Sequence, residues 1–112
     1  MHLAAETGTG QSMYEISKYV EVNISGTSHL LDYMANEPHQ IKKVVVASSR
    51  AIYGEGKYQC EAHGIVFPET RNEKDMVSGK FEPTCNSCSK IVSLVATNEE
   101  SKSNPCSIYG IT

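Results

Sequence analysis

Two close pairs of metal-type ligands, Cys60-x-x-His63 and Cys85-x-x-Cys88, stand in a polar stretch with too few apolar residues for a core of its own. This constrains the fold more than any other feature, because something besides buried area must hold residues 54–96 together. They carry Gly54, Gly56, Gly64, Pro68, Gly79 and Pro83 and only short apolar runs, so we read an irregular insertion with a few short strands. Each pair can grip a metal from one tight turn, and a Cys3His set closes a tetrahedral zinc shell, which marks a structural rather than a catalytic site. Gly64 after the first pair and Pro83 before the second supply turn chemistry. Such a zinc knuckle would fold the insertion by metal binding. The alternatives are unrelated reduced cysteines beside a surface histidine, or two disulfides in a secreted scaffold. Cys106 is left over and is read as a small buried residue.

The leading residues have no basic segment followed by an apolar one, so no signal peptide is visible and a cytoplasmic location is expected. The sequon Asn23-Ile24-Ser25 falls inside a helical pattern and is read as chance. The longest apolar run, Val44-Val45-Val46-Ala47, is far short of the roughly 20 residues that span a bilayer. With 10 Lys+Arg against 13 Asp+Glu and a formal charge of −3, the chain also lacks the clustered basic excess of a nucleic-acid binder. Neither a membrane nor a nucleic acid is an expected partner.

From Met13 the residues Met13, Ile16, Tyr19, Val20, Asn23, Thr27, Leu30, Leu31 and Met34 recur in steps of one, three and four, which predicts a long amphipathic helix over residues 12–35. Ser12 is the expected N-cap, with Glu15 three residues on completing a capping box. Gly26 costs roughly 1 kcal/mol relative to Ala, which suggests close approach of something beside it. Pro38 ends the helix. Ile41 to Ser49 is β-branched and nearly continuously apolar, as in a parallel strand buried on both faces. His2-Leu3-Ala4-Ala5 reads as the end of the preceding parallel strand, and the fold class expected is α/β. Thr7-Gly8-Thr9-Gly10 meets a dinucleotide fingerprint only in part, since Met13 stands where a third small residue belongs, and is better read as a flexible loop before a helix. Ser48-Ser49 leave the strand's carboxyl end, where α/β sheets bind ligands, although serine there is also an ordinary cap.

Taken together, four segments resemble the extended short-chain dehydrogenase/reductase superfamily, within it the NAD-dependent epimerase/dehydratase family. His2-Leu3-Ala4-Ala5-Glu6 is similar to its HxAA turn, and Asn23-Ile24-Ser25-Gly26-Thr27-Ser28-His29-Leu30-Leu31 to its NxxGTxxLL helix. Ser48 to Gly54 is similar to its SSxxxYG strand end, and Ser107-Ile108-Tyr109-Gly110-Ile111-Thr112 to the start of its YxxxK helix. The Cys/His stretch between the last two resembles most the dTDP-L-rhamnose 4-epimerase branch.

The resemblance implies a partial Rossmann-type NAD(P)-binding domain over residues 1–53 and 97–112, with residues 54–96 as a zinc-knuckle-like insertion. It implies NAD as cofactor and a nucleotide sugar as substrate, epimerised at C4 by removal and return of hydride. Ser49 corresponds to the catalytic Ser/Thr that would hydrogen-bond the sugar C4 oxygen. Tyr109 corresponds to the catalytic tyrosine, also against the cofactor, which takes the 4-hydroxyl proton. A tyrosine that ordinarily titrates near roughly 10 must be made more acidic for this, a job shared by the nicotinamide charge and a lysine four residues on. That lysine would be residue 113, so the chain is expected to be a fragment unable to bind NAD well or turn over, whose parent enzyme is a homodimer. Leu3, Ala4, Ala5 and Thr7 correspond to the turn along the cofactor, whereas Asn23 is expected to hold helix and loop together. Arg50 and Ala51 occupy the positions of the acid–base pair that sugar dehydratases need, which favours an epimerase over a reductase or dehydratase. A non-catalytic zinc-binding interaction module is the remaining reading. The metal ligands expected are Cys60, His63, Cys85 and Cys88, with structural zinc.

Overall fold

In the computed structural model, which describes residues 1–112, the stripe read over residues 12–35 is a continuous right-handed helix from Ile16 to Asn36, but not a uniform one. It starts as α1 (Ile16–Tyr19), widens into a π-helical stretch over Val20–Ser25, and returns to α geometry in α2 (Gly26–Asn36). The expected capping box is not formed. Ser12 lies in a short 3-10 turn, Gln11–Met13, its hydroxyl donates backward to the Thr9 carbonyl at 2.7 Å, and the helix begins only after Glu15. Glu15 instead accepts from the Gln11 side-chain amide at 3.1 Å and pairs with Lys18 at 3.3 Å. Gly26 has ordinary helical angles and meets only the Glu21 carbonyl, at 3.9 Å, so the expected close approach is absent. At the far end Glu37 turns extended, as a residue before proline must, and the His39 ring bonds the otherwise open Met34 carbonyl at 2.8 Å.

The expected strand over residues 41–49 is not formed as a strand. A single parallel bridge joins His2 to Val46, with the His2 N–H on the Val45 carbonyl at 2.8 Å and the Ala47 N–H on the His2 carbonyl at 3.1 Å. The pairing direction is the expected one, but the burial is not: Val44, Val45 and Val46 are 39%, 44% and 54% exposed. An apolar β-branched run becomes a fully covered parallel strand only where neighbours flank both edges and both faces. Within these residues one bridge flanks it.

These residues belong to the first of two units, Met1–Ala51 with Ser107–Thr112. Its centre is polar. The buried Asn23, inside the π-helical stretch, pairs with the Glu6 peptide group as a second backbone would, accepting from the Glu6 N–H at 2.8 Å and donating to its carbonyl at 3.2 Å. The same amide nitrogen donates to the Thr112 hydroxyl at 3.0 Å. Thr27 donates its one hydroxyl proton to the Asn23 carbonyl at 2.7 Å, so at 3.0 Å the His2 Nε2 must be the donor to Thr27. The amide of Asn23 is thus fully engaged and closed to glycosylation, and it joins helix to loop as expected.

The second unit is Ile52–Cys106. It holds a three-stranded antiparallel sheet in the order β2-β1-β3, with β1 (Tyr58–Cys60), β2 (Gly64–Val66) and β3 (Ser93–Leu94). Tyr58 pairs with both Val66 and Leu94. A one-turn helix, α3 (Glu73–Val77), is capped by Asn72, which accepts from the Lys74 N–H at 2.8 Å. The core of this unit is small: Cys60, Cys85 and Val92, with Tyr58, Val66 and Cys88 packed against them. Cys106 is exposed, contrary to the buried role expected; its neighbours Asn104 and Ser107 take the more sheltered places.

The paired amide makes a direct stability prediction. Asn23→Leu orphans the Glu6 N–H and carbonyl, at about 1–3 kcal/mol for each group left buried. Asn23→Asp keeps the acceptor and should fall between the variant and the wild type in urea midpoint.

Candidate functional site

The second unit brings together all four residues picked out as metal ligands. Cys60 closes β1, His63 ends the turn that follows, and Gly64 opens β2 opposite Cys60 at φ +69°. The second pair repeats the arrangement. The Cys85 N–H donates to the Lys90 carbonyl and its carbonyl accepts from the Ser89 N–H, both at 2.8 Å, and Ser89 adopts φ +56° directly after Cys88. A left-handed residue after the second ligand lets each turn reverse sharply, and at Ser89 no glycine announced it.

The ligand atoms, each able to supply one donor, all lie within 4.8 Å of one another. Cys60 Sγ is 3.6 Å from His63 Nδ1 and 3.7 Å from Cys88 Sγ, while Cys85 Sγ is 3.4 Å from His63 Nδ1. A regular tetrahedron around zinc, with bonds of about 2.3 Å to sulfur and about 2.0–2.1 Å to nitrogen, has S···S edges of roughly 3.8 Å and N···S edges of roughly 3.6 Å. Those three separations fall within about 0.2 Å of the tetrahedral edges, and the set has the chemistry and number of donors that tetrahedral zinc requires. Cys60 and Cys85 are buried, Cys88 is half-buried and His63 is exposed.

The electrostatics of the metal-free cluster are divided. The Ser87 N–H holds the Cys85 thiol down at about 6, against burial and with help from the Cys88 N–H. Burial is the largest influence on Cys60 and pushes it up, yet the Ala62 and His63 groups together bring it below the ordinary thiol value. Cys88 is pushed up: its bond from the Lys90 N–H lowers it, but burial and the Cys60 and Cys85 thiols outweigh that bond. His63 is raised by its contacts with Cys60 and then Cys85. Crowded thiols resist joint ionisation without a cation, and a divalent metal removes that conflict.

The first unit gathers part of the other predicted set. Tyr109 sits in α4 (Ile108–Ile111), whose buried cap Ser107 accepts from the Gly110 N–H at 3.1 Å. Its ring meets Tyr19 edge to face at 6.3 Å and 67°. Tyr19 is fully buried, and its hydroxyl lies 3.0 Å from the Thr7 carbonyl and 3.1 Å from Gln11 Oε1. Gly8, at φ +138°, makes this contact possible, since a Cβ there would come within 2.9 Å of the Tyr19 hydroxyl. Tyr109 is thus linked through Tyr19 to the Thr7-Gly8 turn, and Leu3, Ala4 and Ala5 just before it are exposed. Ser49 is half-buried and accepts from the Ala51 N–H at 3.2 Å, capping the turn Arg50–Tyr53; no hydrogen bond joins it to Tyr109. Sequence reasoning saw Tyr19 as one more apolar stripe position. Its phenol was the available signal, because a buried hydroxyl must find a partner.

A profile of the NAD dependent epimerase/dehydratase family matches residues 1–90, and the chain belongs to that family. It is 34% identical over its whole length to a dTDP-L-rhamnose 4-epimerase of Burkholderia thailandensis, covering 30% of that protein. It is 32% identical over 80 residues, 71% of the chain and 23% of the relative, to a UDP-glucose 4-epimerase of Mycoplasma genitalium. A UDP-glucose 4-epimerase of Halalkalibacterium halodurans is 40% identical over 55 residues, 49% of the chain and 16% of the relative. The chain therefore spans less than a third of the length of the relatives it matches. No solved structure matches it significantly. No helix is long and apolar enough to cross a membrane.

The metal cluster carries a pH prediction. Stabilisation from the Cys85 thiolate is complete above the ordinary thiol range near 9.0 and is lost as pH falls through about 6. Zinc affinity, read by indicator competition, should weaken steeply below about pH 6 as protons displace the metal. An affinity flat from about pH 5 to about pH 8 would refute this.

Proposed function

We propose that the chain is part of an NAD-dependent nucleotide-sugar 4-epimerase, in which Tyr109 is the acid–base residue and Ser49 steadies the sugar C4 oxygen. It belongs on this reading to a partial Rossmann-type domain, with a structural zinc knuckle inserted between Ser49 and Tyr109. The observation that carries the proposal is the link from Tyr109 through Tyr19 to the Thr7-Gly8 turn, since it joins the proposed base to the turn proposed to lie along the cofactor. Two further facts favour it: the three relatives are named as nucleotide-sugar 4-epimerases, and Arg50 and Ala51 offer no acid–base pair for eliminating water.

The exposed one-carbon side chains of Ala4 and Ala5 leave the backbone of the turn open, which suits close approach of a flat dinucleotide. When bound, NAD would supply the hydride acceptor and donor at the sugar C4. The chain's own residues handle the proton. Tyr109 makes no hydrogen bond through its hydroxyl, so that oxygen is free to take the 4-hydroxyl proton and later return it. Ser49 uses an acceptor site for the Ala51 N–H, and its own proton remains to donate to the developing C4 carbonyl. The alternation needs no second acid–base pair, because the same proton and hydride come back to the keto sugar after it turns. The metal residues stand outside this chemistry, with zinc closing a shell of four protein ligands. We place the protein in the cytoplasm, where such thiols stay reduced.

In the protein carrying these residues, Tyr109→Phe should lower kcat for epimerisation by about 10²–10⁴ with little change in KM, and Ser49→Ala by less. Conversion of dTDP-L-rhamnose and of UDP-glucose, followed by proton NMR, reads both. Undiminished turnover in Tyr109→Phe would end the proposal.

A further inference from the structure

Within the second unit the incoming and outgoing chain are locked side by side. The Asn104 N–H donates to the Ile52 carbonyl at 2.8 Å. Gly54 lies against the same residue at φ +58°, and a Cβ there would overlap the Asn104 carbonyl oxygen. The Asn104 side chain reaches the carbonyl of the buried Pro68 at 3.5 Å. Pro68 is in turn bracketed by Asn86, whose amide donates to the Phe67 carbonyl and accepts from the Glu69 N–H, both at 3.3 Å. Asn86 stands inside the Cys85-x-x-Cys88 turn. A continuous set of bonds therefore runs from the metal ligands to the point where the chain crosses itself.

We propose that this Ile52–Gly54–Asn104 clamp, held shut from the metal knuckle through Asn86 and Pro68, is a positioning device for Tyr109. The inference rests on the readings of Ser49, Tyr109 and the metal given above. Ser49 lies just before Ile52 and Tyr109 just after Asn104 in the chain, so the clamp shortens the connection between them. Unclamped, with Tyr58 still paired to Leu94, the path between the two is roughly 24 residues, and clamped it is roughly 8. By the three-halves power of that ratio, docking of Ser107–Thr112 in its own unit is favoured about 5-fold by a closed clamp. Gly54, Asn86 and Asn104 touch neither substrate nor cofactor on this account; they act through the length of the tether.

The test uses the full 112-residue chain and no turnover assay, so its failure leaves the role of Tyr109 to be judged separately. NMR reads the amide exchange of Gly110, Ile111 and Thr112 together with the ring contact between Tyr19 and Tyr109. Stripping zinc with a chelator should lower protection at those amides by at least about 5-fold and weaken the ring contact, while the Asn23 pair with the Glu6 peptide group stays bonded. Gly54→Ala should lower that protection about 5-fold with zinc present. Gly79→Ala is the control: it carries the same backbone strain at φ +84° but has open space around its Cβ, so α4 should stay docked. Unchanged protection in Gly54→Ala, or an equal loss in Gly79→Ala, overturns the clamp. Unchanged protection after zinc has left, failure of the chain to bind zinc, or loss of the Asn23 pair along with α4, removes the metal's part in it.

Discussion

Buried area is scarce in this chain: besides Pro68 and Pro83, its buried apolar side chains are Tyr19, Cys60, Cys85 and Val92, two of them cysteines. Directional bonds must then fix what a larger core would fix by packing. In the first unit that role falls to the Asn23 amide, which treats the Glu6 peptide group as a sheet would and reaches Thr112 besides. In the second it falls to four ligand atoms already gathered within 4.8 Å. Every buried side-chain nitrogen or oxygen has a partner, as a structure leaning on polar bonds requires.

How legible a feature was in the sequence followed from how local its cause is. The ligand pairs were legible because three-residue spacing within one turn is a local property, and the turns at residues 60–63 and 85–88 obey it. The helix was legible from its stripe, but its π-helical stretch was not, since that irregularity follows from where Asn23 must reach. The capping box failed because Ser12 lies inside the 3-10 turn Gln11–Met13 and the helix starts only after Glu15, so the spacing the box needs is not there. The run Val44-Val45-Val46 encodes a demand for cover, which periodicity can register, but whether cover is supplied depends on distant chain. Tyr19 escaped attention because a helical stripe treats a phenol as grease, whereas its hydroxyl ties the stripe to a loop.

The candidate active site has the same split character. Tyr109 and the Thr7-Gly8 turn are joined through one aromatic contact and one hydroxyl, a short and rigid route. Ser49 is held separately, by the amide two residues ahead of it. The family relationship supplies the chemistry that these positions suit, while local bonding explains why each side chain is where it is. On the proposed reading the Cys/His cluster serves the folding of the second unit and stands outside proton and hydride transfer.

The π-helical stretch over Val20–Ser25 has a consequence for how this helix could change. A wide turn closed from residue i to i+5 holds about one residue more than an α turn over nearly the same rotation. A single deletion within the stretch could restore regular α geometry and leave α2, with Thr27, facing as before, but it would shift Asn23 from the wide turn that aims it at Glu6. Local regularity and the reach of Asn23 are therefore in competition here, so the wide turn can be lost without turning α2 but not without moving the residue that holds the first unit together.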